Sequence, residues 1–226
     1  VASSSASLLA PAADSPRPLR RDAERNRRLI LDAARAAFAS RGVHVTLDEI
    51  AHLAGVGVGT VYRRFPDKER LLEALFEERI AGVLSLAAEA AEDEDPGAGF
   101  ARWFAGFVSL LAEDRGLKEA LLSSGHGERL TAAAVERLLP LVARLLRRAQ
   151  RAGELRGDLR AADVLLLGHM VASVSDTAGE VAPQLFRRYL AVVMDGLCVR
   201  RERPSRLPGA PPSDRQLEAI RHAHHR

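Results

Sequence analysis

Residues 46–65, TLDEIAHLAGVGVGTVYRRF, constrain the fold more tightly than any other stretch of this chain. Thr46 followed by Glu49 has capping-box spacing, in which a hydroxyl and a carboxylate satisfy the free amides at a helix start. Leu47, Ile50, Ala51 and Ala54 then recur at helical period on one face, and Gly55 supplies a residue at home in the left-handed conformation that ends helices. A second short helical run follows from about Val58 to Phe65, and Pro66-Asp67 closes it. Two short helices joined by a glycine turn pack closely when apolar residues face one another and small ones among them allow close approach. Ile50, Ala51 and Ala54 opposite Val56, Val61 and Phe65 meet that need.

The flanking sequence extends the pattern. Helical period begins near Arg21, with Ile30, Ala33, Ala34, Ala37 and Phe38 on one face and Arg41-Gly42 as a stop. Asp67 caps a helix whose face is Leu71, Leu72, Leu75, Phe76 and Ile80. Asp95-Pro96-Gly97 is a breaker, after which Phe100, Trp103, Phe104, Phe107, Val108 and Leu111 form an apolar stripe. A short helix near Leu117–Leu122, a longer one over Glu128–Arg151 with a kink or break at Pro140, and a helix capped by Asp158 are expected next. Aromatic residues make up 4% of 226 residues while hydrophobic ones reach 47%, mostly Ala, Leu and Val, so strand formers are sparse and the expected class is all-α.

Val164–Val174 and Leu185–Leu197 read as apolar nearly all round. A helix of that kind must be buried on every side. A chain of this size has too little interior for two of them, so a second copy of the chain is the expected cover. Val164, Leu167, Val171, Leu190, Val193 and Leu197 are the candidate dimer-interface residues.

The outward residues of the second short helix are suited to a polyanion. Val58 can meet a thymine methyl, Thr60 a base edge or phosphate, and arginine pairs bidentately with guanine. Tyr62 and Lys68 suit phosphate contacts. The net charge of +3 is modest, but Arg17, Arg20, Arg21, Arg25, Arg27 and Arg28 crowd the front, and Glu89–Asp95 is acidic. A basic end beside a more acidic body points one end at nucleic acid, and the arginine run is a candidate DNA-contacting arm.

The run Thr46, Ile50-Ala51, Ala54–Phe65, Lys68-Glu69 and Leu71-Leu72, with Ala33-Ala34, Phe38 and Gly42 before it, resembles the DNA-binding domain of the TetR family over about Arg21–Ile80. Ala149–Asp158 (AQRAGELRGD) is similar to stretches in that family's C-terminal domains. The resemblance implies an N-terminal three-helix helix-turn-helix domain, a helical ligand-binding and dimerisation domain, and operator DNA as partner. It places DNA contacts at Thr46, Leu47, Val58, Gly59, Thr60, Tyr62, Arg63, Arg64 and Lys68. Two departures stand out: Gly57 where the family usually has Ser, and Arg63 and Arg64 where His or another aromatic is common.

The expected division is a disordered arm over 1–20, the DNA-binding domain over 21–80, a helical ligand-binding and dimerisation domain over 81–203 and a flexible tail over 204–226. The expected activity is a homodimeric repressor released from a palindromic operator by a small hydrophobic effector. The candidate effector pocket is Trp103, Phe104, Phe107, His169 and Met170, although such a stripe is also what a core looks like. A ligand-independent DNA-binding activator or nucleoid-type protein is the alternative. No metal cluster, nucleophile motif or phosphate loop suggests an enzyme, and no cofactor is expected. His126, His222, His224 and His225 read as loop or tail residues. A lone Cys198, the absence of a signal-like start and the lack of an apolar run near ~20 residues suggest a cytoplasmic protein without a membrane span.

Overall fold

A computed structural model describes residues 17–113, 117, 127–179 and 181–199. The arm before Arg17, the helix expected over 118–122, His126 and the tail lie outside the described residues. The described elements are α1 (Arg17–Arg41), a 3-10 turn (Gly42–His44), α2 (Leu47–Ala54), α3 (Val58–Arg64), α4 (Lys68–Ala91), α5 (Pro96–Glu113), α6 (Gly127–Arg151), α7 (Ala161–Ala178) and α8 (Leu185–Leu197). Among the described residues there is no strand, only an isolated bridge between Leu155 and Cys198, so the chain is all-α.

Helix ends follow the local chemistry. Gly42, Gly55 and Gly153 take positive φ of 67°, 64° and 75°, which an L side chain resists. The Thr46 capping box forms: the Glu49 amide donates to Thr46 Oγ1 at 3.3 Å and the Thr46 amide to Glu49 Oε2 at 2.8 Å. Asp67 accepts from the Arg70 amide at 2.8 Å and starts α4.

Three expectations are corrected. Helix α1 begins at Arg17, so Arg17 and Arg20, expected in a disordered arm, belong to the same helix as Arg21–Arg28. Pro140 lies within the continuous α6. Its missing donor would have served the Glu136 carbonyl, and both residues are exposed, so water can satisfy that oxygen. The helix is therefore not broken there, and Ala134, Leu138, Val142 and Leu145 are buried on both sides of the proline. Asp158 does not cap α7. It takes a forked ion pair from Arg156 at 2.7 and 2.8 Å, while the Asp163 carboxylate accepts from the Arg160 amide.

Helix α5 is the centre of the C-terminal body and packs against α4, α6, α7 and α8, while α1 packs on α2 and α2 on α3. Helix α4 joins the two halves. Leu71, Leu72 and Leu75 are buried in its first turns, and Val83, Ala87, Ala90 and Ala91 toward its end. The expected boundary at 80/81 therefore falls inside one rigid element. Arg148 of α6 secures the far end of α4 by donating to the Ala90 and Ala91 carbonyls and, at 2.8 Å, to that of Asp93. A cation at a helix C-terminus also complements its dipole.

Candidate nucleic-acid interface

Helices α2 and α3 meet through Ile50, Ala51, Val61 and Phe65, all buried, with Ala54 and Val56 packed beside them. That leaves one face of α3 to solvent: Val58 is 44% and Tyr62 45% exposed, and Gly59, Arg63 and Arg64 are exposed with them. Thr60 is half-buried at the same face. A short helix standing proud of its support, with hydroxyl, phenol and guanidinium groups outward, can enter a major groove.

Several polar groups of this face are already engaged. Arg63 Nη2 donates to Thr60 Oγ1 at 3.2 Å. Arg64 Nη2 donates to the Ala23 carbonyl of α1 at 2.9 Å. The Asp48 carboxylate, hydrogen-bonded to the Tyr62 phenol, pushes its pKa upward, so the phenol keeps the proton it would donate to a phosphate. Lys68 Nζ stands 5.5 Å from the Phe38 ring centroid, and partial burial lowers its pKa against a raising influence from Glu49.

Leu47 departs from its expected place. Its side chain is in the core of α1–α3, so only its backbone amide, at the first position of α2, faces outward chemistry. Thr46 is exposed, but its hydroxyl also donates to Glu49 Oε2 at 2.9 Å. Thr46, through its amide and then its hydroxyl, holds the Glu49 carboxyl below the usual carboxylate range. The depressed folded-state pKa means the cap contributes stability above the ordinary carboxylate pKa and loses it as pH falls through the folded value. Thermal melts should therefore fall more steeply from about pH 5 to about pH 3 in the wild type than in E49Q, whose amide keeps the cap without titrating. Equal slopes would show that the cap does not titrate.

The aromatic stripe resolves into two parts. Trp103 (1% exposed), Phe100 and Phe104 are core. Phe107 and His169 instead line a cavity of about 260 Å³ with Phe76, Ile80, Val83, Leu138, Leu165 and other residues from α4, α5, α6 and α7. Arg79, Thr131, His169 and Asp176 are its polar groups. The His169 ring stands edge-on to Phe107 at 6.0 Å, and its Nδ1 is 2.8 Å from the Leu165 carbonyl oxygen. An Nδ1 proton donated there leaves Nε2 as an acceptor. Phe107 stacks on Trp103 at 5.4 Å, so the tryptophan senses the cavity through one intervening ring. Met170 does not face this cavity: it points outward, 66% exposed.

Within this one chain, helices α7 and α8 are buried on one side only. Val164, Val171 and Leu197 sit in this chain's own core, and Leu167, Leu190 and Val193 pack at its edge. The outward apolar residues are Leu166 and Met170 of α7, with Tyr189 and Val192 of α8. They lie three or four positions apart on their helices, so each helix presents a stripe. No helix among the described residues is long and apolar enough to cross a membrane.

The chain is similar to known proteins along most of its length. The family described as bacterial regulatory proteins, tetR family, matches residues 30–75, and the SbtR-like transcriptional regulator C-terminal domain matches residues 95–199. An uncharacterized HTH-type transcriptional regulator of Mycobacterium tuberculosis is 32% identical over 163 residues, covering 67% of this chain and 82% of that protein. The crystal structure of a TetR transcription regulatory protein from Mycobacterium vanbaalenii superposes with a TM-score of 0.63 at 37% identity, covering 80% of this chain and 100% of that one. SmeT, the repressor of the Stenotrophomonas maltophilia multidrug efflux pump SmeDEF, superposes at 0.58 with 27% identity, covering 82% of this chain and 97% of that one. With the exposed face of α3 at one end and a helical body matched to a regulator domain at the other, this chain belongs to the TetR family of DNA-binding transcriptional regulators.

Proposed function

We propose that this regulator is a homodimeric repressor that leaves a palindromic operator when a small, mainly apolar effector enters the cavity between α4, α5, α6 and α7. The observation that carries the reading is the double role of α4. Phe76, Ile80 and Val83 of this helix line the cavity, while Leu71, Leu72 and Leu75 are buried a turn or two earlier, just after the recognition helix α3. A ligand that moves α4 moves the helix-turn-helix with it. Such a ligand releases DNA only if it binds the released arrangement better than the DNA-bound one.

The cavity walls are apolar apart from a few polar groups, a composition that favours a hydrophobic, aromatic body bearing one or two hydrogen-bonding groups. The exposed stripes of α7 and α8 pair across a two-fold axis in this reading, setting two α3 helices about 34 Å apart, one turn of DNA. DNA contact comes from Val58, Gly59, Thr60, Tyr62, Arg63 and Lys68, with Thr46 and the Leu47 amide at the start of α2. A cytoplasmic location follows from the partner. The relation to SmeT supports repression of an exporter as one setting.

The test is a pair of titrations on one sample. Operator selected from random duplexes is titrated first, and then aromatic candidates are added with Trp103 fluorescence as the readout. An effector that quenches Trp103 must weaken operator binding, and operator must weaken effector binding by the same factor. A compound that fills the cavity and leaves operator affinity unchanged ends the induction reading for that compound. Binding blind to sequence ends the repressor reading itself.

A further inference from the structure

We infer that the two adjacent arginines of the recognition helix divide the work: Arg63 reads a guanine, presented by Thr60, while Arg64 is a positioning residue that ties α3 to α1. The inference deepens the operator-binding reading and rests on it.

Arg63 and Arg64 follow one another, so their side chains leave α3 about 100° apart. The structure uses that divergence. Arg63 folds back along the exposed face of its own helix. Its Nη2 donates to Thr60 Oγ1 at 3.2 Å, one turn earlier, and its Nη1 lies 3.7 Å from where a Cβ on Gly59 would stand. The guanidinium therefore lies over the first turn of α3, the part of a recognition helix that meets base edges. Only one of its five donors is taken by Thr60. The rest remain for the O6 and N7 acceptors of guanine, which a planar fork matches bidentately. Thr60 contributes by holding the fork in place, which lowers the rotamer entropy lost on contact.

Arg64 leaves in the other direction. Its Nη2 reaches back 41 residues to the Ala23 carbonyl at 2.9 Å. Ala23 sits in the N-terminal half of α1 between Arg21 and Arg25, both exposed. The tie sets this basic stretch of α1 in register with α3, so that arginines of α1 follow the phosphate backbone while α3 occupies the groove. A guanidinium held on a helix carbonyl is poorly placed to read a base.

The experiment is selection from random duplexes followed by affinity measurements at several salt concentrations for the wild type, R63A, T60V, T60S and R64A. The wild type should select a G·C pair at one position of each half-site. R63A should lose roughly ten- to hundredfold of discrimination at that pair and little elsewhere. T60V should lose part of it, and T60S, which restores the oxygen, should recover it. R64A should keep the selected sequence and weaken all sequences alike. Its salt slope should fall by more than the ~0.9 expected for one lost phosphate contact, because the α1 arginines lose register as well. A base preference changed by R64A, or a guanine preference that survives R63A, overturns the assignment. A slope change of only ~0.9 for R64A makes Arg64 a plain phosphate contact and overturns the tether. If R64A does not fold, R64M carries the same test, since its side chain keeps apolar bulk and donates nothing to the Ala23 carbonyl. A wild type with no sequence preference is a different failure, that of the operator reading.

Discussion

Replacing Met170 with Asp, alone or with Leu166, should give a folded monomer whose affinity for a full operator is lower by about 10²–10⁴-fold. Leu166 and Met170 are 64% and 66% exposed, so a carboxylate there disturbs nothing inside the chain. In a two-fold pairing the same carboxylate meets an apolar surface and its own copy, and burying an unpaired charge is strongly unfavourable. The operator loss follows from valency. Two recognition helices joined through one interface bind the second half-site as an intramolecular event, worth that factor over a single one. Sedimentation and operator titration on the same preparation check it. A variant that stays dimeric would place the interface elsewhere. Leu197 makes the contrasting control. It is buried in this chain's own core, so L197D should lower the melting temperature instead of dissociating an intact fold.

That contrast shows what the sequence makes legible and what it leaves hidden. Periodicity identified α7 and α8 as elements and flagged their excess of apolar residues. It could not say which of those residues the chain buries itself, because that depends on where α5 lies. Val164, Val171 and Leu197 turn inward toward the core, while Leu166, Met170, Tyr189 and Val192 turn out. Within the aromatic stripe, Trp103 and Phe104 share their spacing with Phe107, yet only Phe107 reaches the cavity. Apart from Leu111 of the same helix, its neighbours there come from α4, α6 and α7, far away in sequence.

The helix-turn-helix was readable almost residue by residue, since its caps, its glycine turn and its small facing residues are local. What local reasoning missed was long-range. Leu47 is consumed by the core, and Arg64 bonds to a carbonyl on another helix. Helix starts failed where a side chain had two options. Asp158 was a good capping residue by type, but Arg156, two positions away, took its carboxylate.

Gly168→Ala should produce a regulator that holds DNA and no longer responds to effector. Gly168 lies on α7 against the ring of Phe107, and a Cβ there would stand 2.5 Å from Phe107 Cε1 and 2.9 Å from its Cδ1. Carbon atoms do not approach so closely, so the ring must move. Trp103 stacks on it at an interplanar angle of 5°, and Phe104 also lies against the Gly168 position at 3.5 Å. The yielding direction is the cavity that Phe107 already lines. A displaced phenyl ring takes a large share of a cavity of about 260 Å³ and leaves less room for an aromatic ligand. Overpacking of this kind costs about 1–3 kcal/mol of stability, visible as a lower melting temperature. Helices α1–α3 do not touch the site, so operator affinity without effector should be unchanged. An effector that shifts Trp103 fluorescence in the wild type should need at least tenfold more to do so in the variant, and should fail to release operator at wild-type concentrations. If G168A binds and responds to effector like the wild type, the ligand does not occupy the space beside Phe107, and the effector site has to be sought away from the α4–α7 cavity.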